Sequence, residues 1–160
     1  YRSISAPARV FASQDEFKRA FNDGELELDF VAVLANQGPA AIGMPELHKL
    51  TPYLGLLQSR GFKVALLTDG RMSGASGKVL SAIQVTPEAA RDGLIGKIQD
   101  GDTITIDAAS GELSVASDDI AQRDIGRDEI DAHSYGIGRE LFAAFRERAS
   151  SAEEGASFFA

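Results

Sequence analysis

The residues best suited to chemistry lie in the segment Thr68–Lys78, directly after the apolar run Phe62–Leu67. The segment reads Thr-Asp-Gly-Arg-Met-Ser-Gly-Ala-Ser-Gly-Lys, so glycines, hydroxyls, a carboxylate and two cations share eleven positions. Gly-rich loops at the ends of buried strands often hold ligands in α/β proteins. Backbone N–H groups and hydroxyls in such a loop can surround an anionic or hydroxylated ligand. The alternative is a turn satisfied by its own Asp and Ser side chains.

Spacing excludes one ligand class for this loop. Met72 stands where the phosphate loop of ATP-binding proteins has its first glycine, and Val79 rather than Ser or Thr follows Lys78. ATP binding is therefore not expected. Ser73 has no His or Lys base nearby in sequence, and a serine base or nucleophile needs activation. A metal or a residue distant in sequence must supply that activation.

A second candidate segment, Gly43–His48, contains the carboxylate of Glu46 and the imidazole of His48. The pair lacks the zinc-protease spacing of two His residues at i and i+4. On a regular helix the two side chains would point about 200° apart. Glu46 alone could complement the N-terminus of a helix, whereas Mg²⁺ needs more oxygen ligands than one glutamate supplies.

Composition bounds the possible classes of function. The 160 residues, of which 44% are hydrophobic and 25% charged, fit one globular domain. The net charge of −8 argues against nucleic-acid or anionic-membrane partners. The sequence has no run long enough to span a membrane and no apolar signal core, so we expect a cytoplasmic protein. The chain has no Cys, which excludes internal disulfides and thiolate metal sites, and lacks a starting Met, which indicates a piece of a longer protein.

Alternating strands and helices must position the candidate residues. A continuous apolar run predicts a strand buried on both faces at Phe30–Ala35, and the apolar segment Phe62–Leu67 predicts the next buried strand. Alternation around Ala-Ser-Gly predicts a hairpin of Thr103–Asp107 and Glu112–Ala116. Caps, breakers and amphipathic spacing predict the remaining elements, which are a strand at Ala8–Phe11, helices at 14–23, 45–60 and 138–149, a strand or helix at Val79–Val85, and a helical turn starting at Thr86–Glu88.

Four segments together carry a family resemblance. They are Gln-Gly-Pro at 37–39, Gly-Met-Pro-Glu-Leu-His-Lys-Leu-Thr-Pro at 43–52, the loop 68–78, and Val-Thr-Pro-Glu-Ala at 85–89. They resemble the C-terminal domain of the dihydroxyacid dehydratase/6-phosphogluconate dehydratase family. The Ser-Gly-Ala-Ser-Gly-Lys form, with Glu-Leu-His-Lys-Leu-Thr-Pro, is more similar to the 6-phosphogluconate dehydratase subgroup than to the branched-chain enzymes.

The resemblance implies a fold and a reaction. The fold is α/β, a swivelling β/β/α domain with a small mixed β-barrel flanked by helices, and residues 1–160 form one such C-terminal domain of a larger dehydratase. The reaction removes water from 6-phospho-D-gluconate to give 2-dehydro-3-deoxy-6-phosphogluconate, a step of the Entner–Doudoroff pathway. In the family an iron–sulfur cluster acts as Lewis acid, and its Cys ligands lie in an N-terminal domain, which agrees with the Cys-free chain.

The resemblance also implies roles for the candidate residues. Ser73 matches the serine proposed as the base for the C2 proton, which a nearby cluster and Mg²⁺ would activate. Glu46 matches a Mg²⁺ ligand whose companions lie in the N-terminal domain. The residues expected to bind substrate are Asp69, Gly70, Arg71, Gly74, Ser76 and Lys78, with Arg71 and Lys78 as phosphate partners by charge. The expected partners are the N-terminal domain and a second copy in a homodimer.

Five positions depart from the subgroup's pattern. They are Ala35, Asn36, Ala40, Ile42 and Gln84. The first two replace a basic residue beside the Gln-Gly-Pro turn, and Gln84 replaces a His. The alternatives are therefore a dihydroxyacid or other sugar-acid dehydratase domain, or an isolated binding module without activity. The 160-residue chain alone is expected to be inactive.

Overall fold

A mixed six-stranded sheet organises the chain. The computed structural model describes residues 1–72, 77–125, 135–136 and 138–159. The strands are β1 (Ser3–Val10), β2 (Phe30–Leu34), β3 (Val64–Thr68), β4 (Leu80–Ala82), β5 (Thr103–Asp107) and β6 (Glu112–Ala116). They are arranged in the order β4-β3-β2-β1-β5-β6. Strands β1 to β4 are parallel, whereas β5 is antiparallel to β1 and β6 antiparallel to β5.

In the described residues, four α-helices accompany the sheet. They are α1 (Gln14–Asn22), α2 (Pro39–Ile42), α3 (Leu50–Ser59) and α4 (Ala143–Arg148). Short 3₁₀ turns occupy Ala89–Arg91, Leu94–Lys97, Ile120–Gln122, Glu140–Phe142 and Ala152–Glu154. In the part of the chain that is described, no helix is both long and apolar enough to cross a membrane.

The core lies on both faces of the central strands. Because side chains alternate along a strand, Phe30, Ala32 and Leu34 of β2 pack with the helical layer of α1 and α3. Val31 and Val33 pack on the opposite face with residues of β1, β3 and β5. The continuous apolar runs thus predicted the two strands that are buried on both faces.

The sheet curls along its length. Leu67 of β3, Ile104 of β5 and Val115 of β6 line one cavity of about 240 Å³, although three strands separate β3 from β6 in the sheet order. This curvature gives a half-barrel flanked by helices. The predicted α/β architecture with a small mixed barrel is confirmed in that form.

The predicted helix at 45–60 starts too early. Leu47 donates its N–H to the carbonyl of Arg71 at 3.0 Å, so residues before α3 pair with another loop instead of closing a helical turn. Helix α3 begins at Leu50, which places Pro52 in the first turn where its missing N–H is not needed. Gly61, with φ +100°, follows its end as expected.

Other elements also differ from the prediction, among them β3, which is Val64–Thr68 rather than the predicted Phe62–Leu67. Strand β1 begins at Ser3, because its first half pairs with β5. Helix α2 was not predicted, although Pro39 occupies the first helical position, where proline is favoured. The C-terminal helix is shorter than expected, with a 3₁₀ turn before α4.

Candidate functional site

Three of the candidate residues, Asp69, Gly70 and Arg71, follow directly after β3, beside the end of β2. Parallel strands place their carboxyl ends at one edge of a sheet, and loops at that edge commonly hold ligands. Thr68 ends β3 and is paired in register with Leu34, the last residue of β2. Its hydroxyl donates to the Leu34 carbonyl at 2.7 Å and accepts the N–H of Gly70 at 3.0 Å. The start of the loop 68–78 is thereby fixed to the neighbouring strand.

The carboxylate of Asp69 joins three segments at this edge. It accepts the N–H groups of Asn36 at 3.1 Å, Gln37 at 2.8 Å and Ala89 at 2.9 Å. Asp69 is fully buried, and burial raises the pKa of its carboxyl above the ordinary value, although these hydrogen bonds act in the opposite direction. The geometry gives Asp69 a structural task at the junction, while its expected contact with substrate stays a prediction.

Glu88 is a second buried carboxylate at the same junction. Its oxygens accept the N–H of Ala40 at 3.0 and 3.1 Å and the N–H of Ala41 at 3.1 Å. These donors belong to the first turn of α2. Burial is the main cause that raises the pKa of Glu88, and the negative charge of Asp69 adds to the effect. The expected turn does start after Glu88, but the side chain caps a different helix.

Glu46 and Arg71 lie side by side. The two residues form a parallel β-bridge, in which the N–H of Leu47 donates to the Arg71 carbonyl. The Nε of Arg71 donates to the carbonyl of Met44 at 2.9 Å. The structure therefore brings the expected metal ligand and one expected phosphate partner together, and holds both segments in a fixed register.

Three residues with strained, left-handed backbone conformations surround residues 69–71. Asn36, Met44 and Gln84 have φ values of +60°, +51° and +55°, which non-glycine residues rarely adopt. Each of them is hydrogen-bonded to residues 69–71, through the Asn36 N–H, the Met44 carbonyl and the Gln84 N–H, which donates to Gly70 at 2.8 Å. Strained residues cluster at functional sites more than elsewhere, so this junction is the best-supported candidate site.

The remaining predicted residues have different positions. Gly70 lies so close to Gln37 that an added Cβ would stand 2.6 Å from the Gln37 Cβ, so its small size serves packing. Lys78 is exposed, and its ammonium lies beside Gly55 of α3, 3.8 Å from where a Cβ on that glycine would stand. Ser73, Gly74 and Ser76 lie outside the described residues.

The described residues do not by themselves form a metal centre. Among them there is no group of three or more His, Cys, Asp or Glu side chains that could hold an ion, and the chain has no Cys. Glu46, which is half-buried, can supply one carboxylate. A complete Mg²⁺ shell therefore does not fit the donor set of the described residues, and a Cys-ligated iron–sulfur cluster does not fit a chain without Cys.

Sequence reasoning missed two features of the region. One is Glu88, whose role depends on contacts with residues almost fifty positions away. The other is a cavity of about 400 Å³ beside the Gly43–Met44 turn, lined by Arg139 and Arg146 together with Phe142, Phe145 and Phe158. The Gly-Arg-Glu-Leu-Phe stretch at 138–142 was the available sequence signal, because it supplies Gly138, Arg139 and Phe142 to the lining.

Comparison with known proteins gives a consistent result. The family model described as dihydroxy-acid/6-phosphogluconate dehydratase C-terminal matches residues 1–156. A phosphogluconate dehydratase of Rhizobium meliloti is 56% identical over 96% of this chain and 26% of its own length. One of Pseudomonas aeruginosa is 54% identical over 99% of this chain and 26% of its length. A dihydroxy-acid dehydratase of Dinoroseobacter shibae is 47% identical over 75% of this chain and 21% of its length.

These matches define the family and the extent of the likeness. The chain spans about a quarter of the length of the curated relatives it matches. The family model covers all but four residues, since it ends at 156 of 160. The chain belongs to the dihydroxy-acid/6-phosphogluconate dehydratase C-terminal family.

Proposed function

We propose that this chain is the C-terminal domain of a phosphogluconate dehydratase, which removes water from 6-phospho-D-gluconate. The observation that carries the proposal is the identity of 53–56% to proteins of that name over at least 96% of the chain. The junction of strained loops at residues 69–71 supports it by indicating a ligand site at the carboxyl edge of the sheet.

The reaction divides into a proton loss and a hydroxyl loss. The proton leaves C2 of the sugar acid and the hydroxyl leaves C3 as water, giving an enol that tautomerises to the 2-keto product. We propose that Ser73 is the base that removes the C2 proton and that the Glu46 carboxylate is one ligand of Mg²⁺. Gly70, Gly74 and Ser76 are proposed to contact the sugar acid, and Lys78 and Arg71 to bind its phosphate. The Arg71 Nε already holds the Met44 carbonyl, so its terminal nitrogens are the groups proposed for phosphate.

The complete enzyme needs more than this chain. We propose that an iron–sulfur cluster and the other Mg²⁺ ligands belong to an N-terminal domain, because the chain lacks Cys and its described residues lack a ligand cluster. We also propose that the full-length enzyme is a homodimer in the cytoplasm. The site then lies between domains, which is a common location for enzyme sites.

The test is turnover of 6-phosphogluconate by the full-length protein. Ser73→Ala is expected to abolish dehydration, because it removes the hydroxyl assigned as the base. Ser110→Ala, in the exposed turn between β5 and β6, is the matched control and should keep wild-type turnover. Normal turnover in Ser73→Ala would refute the assigned base. Turnover of a dihydroxy acid without turnover of 6-phosphogluconate would favour the other branch of the family.

Substrate class can be tested at Lys78. This residue is exposed and its change leaves the Met44 contact of Arg71 intact, so Lys78→Ala is a cleaner probe than Arg71→Ala. Loss of a charged hydrogen bond to phosphate should raise KM for 6-phosphogluconate by roughly 10-fold or more. The KM for unphosphorylated gluconate is the control and should not change. Equal effects on both substrates would exclude Lys78 as a phosphate partner.

A further inference from the structure

Glu88 caps a helix to which it does not belong. Helix α2 has Gly38 at its N-cap and no side-chain cap of its own. The Glu88 carboxylate replaces that cap by accepting the N–H groups of Ala40 and Ala41. Its approach to Arg91 is longer, at 3.9 Å, so the backbone amides are the main partners. Only 3% of Glu88 is exposed.

The contact leaves little freedom on either side. A Cβ placed on Gly38 would stand 2.2 Å from the Glu88 Oε2, so the carboxylate occupies the space that any other residue at 38 would need. The next residue, Ala89, is held by the buried Asp69. The backbone next to Glu88 is thus anchored by Asp69, while the Glu88 side chain holds the first turn of α2.

Helix α2 and the turn after it connect the Glu88 contact to Glu46. The helix has four residues and is only about 6 Å long. It is followed by two left-handed residues, Gly43 and Met44, whose conformations leave little slack. The Met44 carbonyl then meets Arg71, and Glu46 pairs with Arg71 in the parallel bridge. A shift at the start of α2 therefore reaches Glu46 directly.

We infer that Glu88 is a positioning residue for the site, because its buried carboxylate fixes α2 and thereby sets the Gly43–Glu46 segment against Arg71. The part of this inference that concerns turnover rests on the proposed function. The part that concerns the segment's position does not depend on substrate. The two parts can be measured separately.

The experiment compares Glu88→Ala and Glu88→Gln in the full-length protein. Glu88→Ala removes both acceptors, and misplacement of the segment should lower kcat about 10- to 100-fold. The KM for 6-phosphogluconate should change by less than about threefold, because no group that binds the substrate is removed. Glu88→Gln keeps an acceptor oxygen for Ala40 and Ala41 and should restore most of kcat. Amide hydrogen exchange of residues 43–47 should accelerate in Glu88→Ala and stay near wild type in Glu88→Gln.

Two further variants separate positioning from general destabilisation. Gly38→Ala displaces the same carboxylate from the other side and should reproduce both defects, which also covers the case that Glu88→Ala does not fold. Ile106→Ala creates a cavity at the opposite edge of the sheet, where Ile106 pairs with Ile4. It should lower Tm without changing kcat or local exchange at 43–47.

The outcomes are distinguishable. Unchanged exchange at 43–47 in both Glu88→Ala and Gly38→Ala, or exchange no faster than in Ile106→Ala, would overturn the inference. Normal kcat in both site variants would overturn it as well. If the wild-type protein does not dehydrate 6-phosphogluconate, the proposed function fails, and the exchange measurement alone decides whether Glu88 positions the segment.

Discussion

Replacement of Asp69 by alanine is the sharpest test of the junction. The wild-type carboxylate satisfies the N–H groups of Asn36, Gln37 and Ala89, which belong to segments following β2 and β4. Alanine leaves these three donors without their acceptor in a region from which water is excluded. The variant therefore probes whether one side chain holds the loops of three strands together.

The size of the effect follows from the number of orphaned donors. Each buried polar group that loses its partner costs about 1–3 kcal/mol. Three such groups give about 3–9 kcal/mol, reduced because a buried charge is also removed, so we expect a loss of about 3–6 kcal/mol. A domain of this size is stable by about 5–15 kcal/mol, so Asp69→Ala should come close to unfolding it.

Asp69→Asn separates hydrogen bonding from charge. An amide oxygen at the Oδ2 position still accepts the N–H groups of Asn36 and Ala89, and only the Gln37 N–H loses its acceptor, so the expected loss is about 1–3 kcal/mol. Because the pKa of Asp69 is raised on folding, the folded state binds more protons than the unfolded state above the ordinary Asp pKa. The stability of the wild type relative to Asp69→Asn should therefore fall as pH rises upward from about 4.

Urea unfolding followed by circular dichroism measures these free energies. Asp107→Ala is the matched control, because Asp107 also accepts two backbone N–H groups, from Ala109 and Ser110, but in an exposed turn. Its free energy of unfolding should fall by no more than about 1 kcal/mol. If the free energies of unfolding of Asp69→Ala and Asp107→Ala differ by less than about 1 kcal/mol, the three hydrogen bonds do not hold the junction and the reasoning fails.

Three further changes test the surroundings of the site. Gly70→Ala forces a Cβ against Gln37 and should reduce the free energy of unfolding by about 1–3 kcal/mol in the same urea assay; no loss would mean that the loop relaxes freely. Gln84→Gly relieves a left-handed backbone and should raise stability by about 1 kcal/mol, seen as a higher Tm, and a lower Tm would contradict the strain argument. Arg123→Ala removes the ion pair that lowers the pKa of Asp102. The Tm of the variant should therefore lie below that of the wild type near neutral pH, and the difference should shrink as pH falls below about 4. A difference in Tm that does not depend on pH would exclude the ion pair as its cause.

Local patterns predicted the frame of the fold well. Strands β2 and β3 follow from continuous apolar runs, since only strands covered on both faces tolerate them. Helix α1 begins after Ser13, whose hydroxyl accepts the N–H of Glu16 as its capping signature predicts. The hairpin of β5 and β6 has the predicted bounds. In each case the sequence signal that predicts the element spans only a few neighbouring residues.

Prediction failed where distant contacts outweigh local preference. Pro45 favours a helix start, yet residues 46 and 47 pair with Arg71, which is 25 positions from Glu46. Thr86–Glu88 has the local signature of a cap and first helical turn, yet the turn begins at Ala89 and the Glu88 carboxylate serves a helix almost fifty residues earlier. The sequence contains no periodicity from which either pairing could be read. The family resemblance identified the segments that meet but not the contacts between them.

These contacts divide the loop 68–78 into two parts with different tasks. Thr68 is bound to β2, Asp69 to three segments, Gly70 packs on Gln37, and Arg71 holds Met44 and pairs with Glu46. The first part is therefore committed to the fold before any ligand binds. The Asp69 carboxylate is fully buried and accepts three backbone N–H groups, which leaves about one acceptor position for its predicted contact with a sugar hydroxyl. Recognition and proton transfer by this loop must then depend mainly on the terminal nitrogens of Arg71 and the residues after Met72, and we expect substitutions after Met72 to change turnover with less effect on stability than substitutions at 68–71.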